Sequence, residues 1–252
     1  MDEATSRKLT VVGVAFGLAI LGFVLAVPVA VVFANVYVAA TGNELGGVGA
    51  LGLSMISLQG VAFPLTAWLY VWRSDRSWSF VPAEFPDRSD AKYTVGAYLV
   101  AFVVVYALQV LITLASVEAA SNQAATTAMN HPEIIPYLVP LMLVLVGPGE
   151  ELLFRGVIQG VLRERFDVWP SILLASAAFA PLHIFALTGG LGAVAVTISV
   201  LFVPSIVFGY VYERTRNVVV PAVAHGLYNA TLMALLYVAV KYAPESSSRL
   251  GF

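Results

Sequence analysis

Six side chains in the C-terminal half of this 252-residue chain are of the types that acid–base chemistry uses: Glu150, Glu151, Arg155, His183, His225 and Asn229. Glu151 and Arg155 stand four apart, so on a helix they share a face and can pair. Glu150 is rotated by about 100° from Glu151 and cannot use the same geometry, so its carboxylate must find a proton or a partner on another helix. A carboxylate held out of water without a counter-charge suits a general base. Gly147, Pro148 and Gly149 precede it and can open the backbone or let another helix approach. Phe179 and His183 are also four apart, as are His225 and Asn229, so each pair lies along one helical face. Each feature has a plain structural reading beside the catalytic one: an ion pair that pins helix packing, a buried histidine satisfied by one neighbour, polar side chains acting as glue between helices.

The elements that must carry these residues are read from where charge is missing. No charged residue occurs over Leu9–Asn43, Leu45–Trp72, Tyr93–Val117 or Ile134–Gly149. Apart from tyrosines, His183 is the only ionisable group over Val168–Tyr212, and His225 the only one over Asn217–Val240. A helix needs roughly 20 apolar residues to cross a bilayer. The runs therefore predict seven spans, at about 9–34, 48–72, 93–117, 134–158, 170–188, 191–212 and 218–240, with Thr188-Gly189-Gly190 as the turn between the fifth and sixth. The first is too long for the apolar region of a signal peptide and reads as a retained anchor. The longest loop, 73–92, holds Pro82, Pro86, Arg88 and Asp90 and reads as irregular.

Lysine and arginine set the expected orientation. Arg7 and Lys8 precede the first span; Arg73, Arg76, Arg88 and Lys92 follow the second; Arg163 and Arg165 follow the fourth; Arg214 and Arg216 follow the sixth. The intervening loops carry Glu44, Glu118 and Glu133 instead. This alternation puts the N-terminus in the cytoplasm of a multi-pass protein of the cell membrane. Lys241 and Arg249 fall on the opposite side, an exception that an eighth or re-entrant span would repair. Trp68, Tyr70, Trp72 and Trp78 flank the second loop as an interfacial aromatic belt does.

Composition agrees with this reading and excludes others. Only 11% of residues are charged and 60% are hydrophobic, with a mean hydropathy of +0.87, whereas a soluble domain carries about 25% charge. A net charge of −2 offers no basic surface for nucleic acid. The absence of cysteine removes disulfides, thiol nucleophiles and iron–sulfur clusters. The expected architecture is all-α: one polytopic membrane helix bundle over 1–252, of about seven to eight transmembrane helices. Residues 1–120 form packing helices and 134–240 form the catalytic core. Five ionisable side chains remain inside the spans, Glu150, Glu151, Arg155, His183 and His225, and such residues are costly and mark function by default. Depth brings three of them together. Glu150 is 13 residues before Arg163 and His183 is 13 after Pro170, each ~20 Å from those landmarks. His225 is 9 residues after Arg216, or ~14 Å in.

The ordered set Glu150-Glu151…Arg155, Phe179…His183 and His225…Asn229 resembles the CPBP family of intramembrane proteases, also called the CAAX-protease and bacteriocin-processing or Abi family. Its members share E-E-x-x-x-R, then F-x-x-x-H, then H-x-x-x-N/D, and no motif position departs from that pattern. The resemblance covers roughly 134–230. It implies an intramembrane endopeptidase that hydrolyses a membrane-proximal peptide bond. Glu150 would be the base that activates water, aided by His183. His225 and Asn229 would stabilise the oxyanion, and the Glu151–Arg155 pair would orient the helix. The implied partners are the lipid bilayer and a membrane protein or lipidated peptide as substrate. In the eukaryotic branch the substrates are prenylated tails, and no feature of this sequence reads prenylation.

Family members often carry a metalloprotease label, and Glu150, His183 and His225 are a donor set for zinc with an open water position. The carboxylate mechanism needs no metal and H-E-x-x-H is absent, so the expectation is catalysis without a cofactor, with zinc as the alternative. Two other functions fit less well. A non-proteolytic scaffold or immunity protein of the same fold would be expected to lose a motif residue. A proton-coupled transporter does not require an asparagine four residues after His225. Gly52-Leu53-Ser54-Met55 lacks the pattern of a rhomboid serine, and every aspartate (Asp2, Asp75, Asp87, Asp90 and Asp167) is placed in a tail or loop, away from any intramembrane dyad.

Overall fold

In the computed structural model, which describes residues 2–242, aspartate side chains cap the first and third of the long helices. Asp2 accepts the backbone N–H of Thr5 at 2.7 Å and starts α1 (Glu3–Thr41), satisfying one of the free amides of a helix N-terminus. Gly42, at φ 70°, closes that helix in the left-handed conformation and donates to the Val38 carbonyl at 2.8 Å. The chain continues through α2 (Gly47–Arg73) and α3 (Arg88–Leu114). A two-residue strand β1 (Ser121–Asn122) and a short helix α4 (Gln123–Asn130) follow. Next come α5 (Pro132–Arg163) and α6 (Val168–Ala186). The strand β2 (Leu187–Thr188) leads to α7 (Leu191–Thr215) and α8 (Val219–Tyr242). Seven of these helices are long and apolar enough to cross a membrane, and the fold is the all-α polytopic bundle that the charge-free runs predict.

Helix limits differ from the predicted spans where charge sits on a helix end. α1 starts before residue 9 because Asp2 caps it and Glu3 pairs with Arg7 one turn on, and it runs past 34 to Thr41, where Gly42 closes it. α3 starts at Arg88 rather than near 93. Asp87 and Asp90 form a reciprocal capping box, so Arg88, Asp90 and Lys92 belong to the first turns of a helix and the loop shrinks to 74–87. The helix then ends at Leu114, three residues short of the predicted limit. In the segment between the third and fourth predicted spans, Ser121↔Thr188 and Asn122↔Leu187 pair antiparallel, and α4 is capped by the Asn122 side chain on Ala124 and Ala125. Lys241 lies in the last turn of α8 and donates to the Tyr237 hydroxyl at 3.1 Å, while Arg249 lies outside the described residues.

α5 is the central helix: half of its most apolar stretch is buried, against 11% for α3. One core cluster packs Leu153, Phe154 and Val157 of α5 against Leu18 of α1, Phe63 of α2, Phe179 of α6 and Tyr212 of α7. A second joins Ile135, Leu138 and Met142 of α5 to Met55, Ala128 and Met233. A third joins α3, α7 and α8 through Ala97, Phe208 and Tyr228. The loop 74–87 is irregular, as its prolines predict, but it is tied down. Val81 and Phe80 pack over Gly156 and Gly160 of α5, and Val218 donates to the Pro82 carbonyl at 2.9 Å. Asn217 donates to the Glu84 carbonyl at 3.0 Å and to Asp90 Oδ2 at 2.9 Å.

Two irregularities shape the bundle where the polar residues sit. Ile56–Ala62 of α2, and Met142–Val146 and Leu152–Gln159 of α5, are π-helical, a widened turn often found at functional sites. At the end of α6, Ala180–Ala186 tightens to a 3₁₀ helix, because Pro181 has no N–H to continue the α-helical ladder.

Candidate active site

Glycine decides how closely the surrounding helices approach Glu150. A Cβ on Gly147 would collide with the Ala222 carbonyl and the backbone of Gly226 on α8, and a Cβ on Gly149 would collide with the Gln59 carbonyl on α2. The Gly147-Pro148-Gly149 stretch thus does not open the helix; it admits a neighbour on each side. The result is a cluster in which α5 carries the acids, α8 reaches in with His225, and α2 and α6 close the remaining sides.

Glu151 is fully buried and serves two partners. Its Oε2 lies 3.2 Å from Arg155 Nε, an ion pair without an aligned hydrogen bond. Its Oε1 lies 2.8 Å from His225 Nδ1. Because an ionised carboxylate only accepts, Nδ1 is assigned as protonated, and Glu151 sets the tilt of that imidazole. Arg155, also buried, donates from Nη2 to the carbonyl and hydroxyl of Ser205 on α7, each at 3.0 Å, and its guanidinium lies 5.2 Å from the centre of the Phe179 ring. The predicted Glu151–Arg155 pair is therefore present, and it is extended by a histidine on one side and a serine on the other.

Glu150 finds its partners on other helices. Its Oε1 accepts from Gln59 Nε2 of α2 at 3.2 Å, and its Oε2 is 3.7 Å from His225 Nε2. His225 is thus held between the two carboxylates, and its ring is stacked on Phe208 of α7 at 4.8 Å and 20°. His183 stands edge-on to Phe179 at 4.8 Å and 71°, so those two side chains meet, although the backbone between them is 3₁₀ rather than α-helical. Its buried Nδ1 has no hydrogen-bond partner among the described residues.

Glu150, Gln59 and His183 line one small cavity of about 70 Å³, otherwise walled by apolar side chains that include Phe23, Phe63, Phe154 and Phe179. His225 touches Glu150 without lining this cavity. Asn229, one turn further along α8, is half-buried and outside the lining, and its side chain makes no hydrogen bond among the described residues. A larger hollow of about 450 Å³ lies between α3 and α7, around Gln109, Glu118 and Thr197, and contains none of the clustered groups. The small cavity is where the reactive side chains meet.

Three residues of the cluster escape a reading based on charge. Gln59, Ser205 and Phe208 are neutral. Gln59 had one signal in the sequence, an amide inside the otherwise uncharged run Leu45–Trp72. Nothing marks Ser205 or Phe208 before helix packing is known. As for metal, no three His, Asp or Glu side chains among the described residues are arranged to hold an ion. Of the expected zinc donors, His225 is held through Nδ1 by Glu151 and faces Glu150 with Nε2.

Residues 132–231, from the start of α5 to Thr231 of α8, match the family model described as type II CAAX prenyl endopeptidase, Rce1-like. Glu150, Glu151, Arg155, His183, His225 and Asn229 all fall within the matched segment. No curated protein and no solved structure matches the chain. The protein is a multi-pass membrane protein whose residues 132–231 are similar to the Rce1-like model of the CPBP or CAAX protease family.

Proposed function

We propose that the chain is an intramembrane endopeptidase in which Glu150 activates water. The observation that carries this reading is the junction of Glu150 and His183 on one cavity with His225 held between Glu150 and Glu151. In the attack step, Glu150 takes one proton from water while the water oxygen bonds to the scissile carbonyl carbon. The carbonyl electron pair moves onto oxygen. His183, on the same cavity, helps to hold the water. The oxyanion is stabilised by His225, which donates from Nε2 as an imidazolium whose Nδ1–H is held by Glu151, and by Asn229 from the next turn of α8; donors of this kind are usually the largest catalytic contribution. The C–N bond then breaks, and the proton on Glu150 passes to the leaving amine. Two products result, one new carboxylate and one new amine, and Glu150 returns to its ionised form.

Glu151 acts at one remove. By accepting from Nδ1 it leaves His225 Nε2 directed at Glu150 and the reacting centre, the role of the orienting carboxylate in a Ser-His-Asp triad. The cavity of about 70 Å³ has room for water beside Glu150. The substrate is a membrane-proximal segment of a protein or a lipidated peptide. The alternation of basic and acidic loops supports a cell-membrane protein with a cytoplasmic N-terminus.

Reconstitution in liposomes with a transmembrane or lipidated reporter peptide tests this reading. Cleavage is expected, with no proton flux, and treatment with a zinc chelator is expected to leave the rate unchanged. Proton-coupled flux without cleavage would contradict the reading, and chelator loss restored by zinc would contradict the metal-free mechanism.

A further inference from the structure

The N-terminal helices lie outside the segment that matches the protease family, yet one of their side chains is bonded to the proposed base. Gln59 donates from Nε2 to Glu150 Oε1 at 3.2 Å across 91 positions of sequence. Three further observations make this more than a chance contact. First, Gln59 lies on the π-helical segment Ile56–Ala62, whose widened turn displaces a side chain from the regular α-helical phase. Second, the backbone there is held against α5: a Cβ on Gly149 would collide with the Gln59 carbonyl, so only glycine beside Glu150 lets the amide come this close. Third, Gln59 lines the same small cavity as Glu150 and His183, and its Oε1 is buried without a hydrogen-bond partner among the described residues.

A carboxylate only accepts, so the amide must turn its nitrogen toward Glu150. The amide oxygen is then left over in a site where an unpaired acceptor is costly. A water beside Glu150 satisfies it. That water gives one hydrogen to Glu150 and the other to Gln59 Oε1, and its lone pair is then directed away from both, toward a carbonyl carbon in the cavity. We infer that Gln59 is a positioning residue for hydrolysis: it fixes one oxygen of Glu150 with its N–H and orients the attacking water with its C=O. The water's first hydrogen goes to Glu150 as the C–O bond forms, and the second stays on the new carboxylic acid until it ionises. Gln59 itself neither gains nor loses a proton. The N-terminal helices, expected only to pack, thus complete the site.

This inference rests on the endopeptidase reading, and its test separates the two. Gln59→Met keeps the length and volume of the side chain and removes both polar atoms. The expected result, in liposomes with the reporter peptide, is a kcat lower by roughly 10- to 100-fold, the size of a lost hydrogen bond to a charged group. KM should stay within about twofold, and the thermal unfolding midpoint should not fall. Gln59→Leu, with rates normalised to the folded fraction from size exclusion, should behave alike. A wild-type kcat in either variant would overturn the inference while leaving the protease reading intact, provided that Glu150→Gln is inactive. A rise in KM at unchanged kcat, or a rate loss that tracks loss of folded protein, would assign Gln59 to packing and also overturn it. Full activity in Glu150→Gln would instead overturn the reading on which the inference rests.

Discussion

Replacing Glu150 by Gln is expected to lower the turnover of peptide hydrolysis by about 10²–10⁴-fold, the usual contribution of a positioned general base. The substitution is nearly isosteric, so the helix contacts at Gly147 and Gly149 survive it. The oxygen of the new amide still accepts from Gln59. What is lost is the ability to take a proton from water. The change should not unfold the protein, because it removes the one of two buried carboxylates around His225 that has no arginine partner and leaves the Glu151–Arg155 pair in place. Thermal unfolding in detergent should therefore give a midpoint equal to or above that of the parent, while the cleavage rate collapses. Undiminished cleavage would remove Glu150 from the role of base. A collapse of folding alongside activity would make its role structural.

Arg155→Met has the largest expected effect on stability. The guanidinium is fully buried and is, among the described residues, the one fixed cation facing Glu151, with Ser205 and Phe179 taking its remaining surface. Removing it leaves a buried carboxylate supported only by His225. Breaking a buried pair in this way costs about 3–5 kcal/mol, enough to deplete the folded protein. The same argument predicts rescue. In the double variant Glu151→Gln with Arg155→Met the uncompensated charge is gone, and the new amide oxygen still accepts from His225 Nδ1. The double variant should recover much of the lost stability, and the coupling energy from the double-mutant cycle measures the pair directly. An Arg155→Met protein as stable as its parent would show that the ion pair does not hold the site together.

How much of the site is legible in the sequence depends on the kind of signal each feature leaves. Charge-free runs mark the spans because the bilayer excludes charge, but they cannot mark helix ends: Arg88, Asp90 and Lys92 lie on a helix that Asp87 caps. The pairing of Glu151 with Arg155 and of Phe179 with His183 is visible because each involves only local spacing. The bond between His225 and Glu151 spans 74 positions and depends on which helices are neighbours, which hydropathy does not encode. Gln59 is hidden for another reason. A neutral amide does not interrupt a charge-free run, although in an apolar core it needs partners as much as an ion does. The motifs over 150–229 carry the family resemblance, while the contribution of α2 emerges only from packing.

Single-turnover cleavage of the reporter peptide in H₂¹⁸O, read by mass spectrometry of both products and of the protein, tests the central claim most directly. Glu150-activated water predicts one ¹⁸O in the newly formed C-terminal carboxylate, none in the peptide segment that contains Glu150, and no turnover in Glu150→Gln. Label in the Glu150 carboxylate would mean covalent attack through an acyl-enzyme anhydride. That result, or cleavage that persists in Glu150→Gln, would contradict the account.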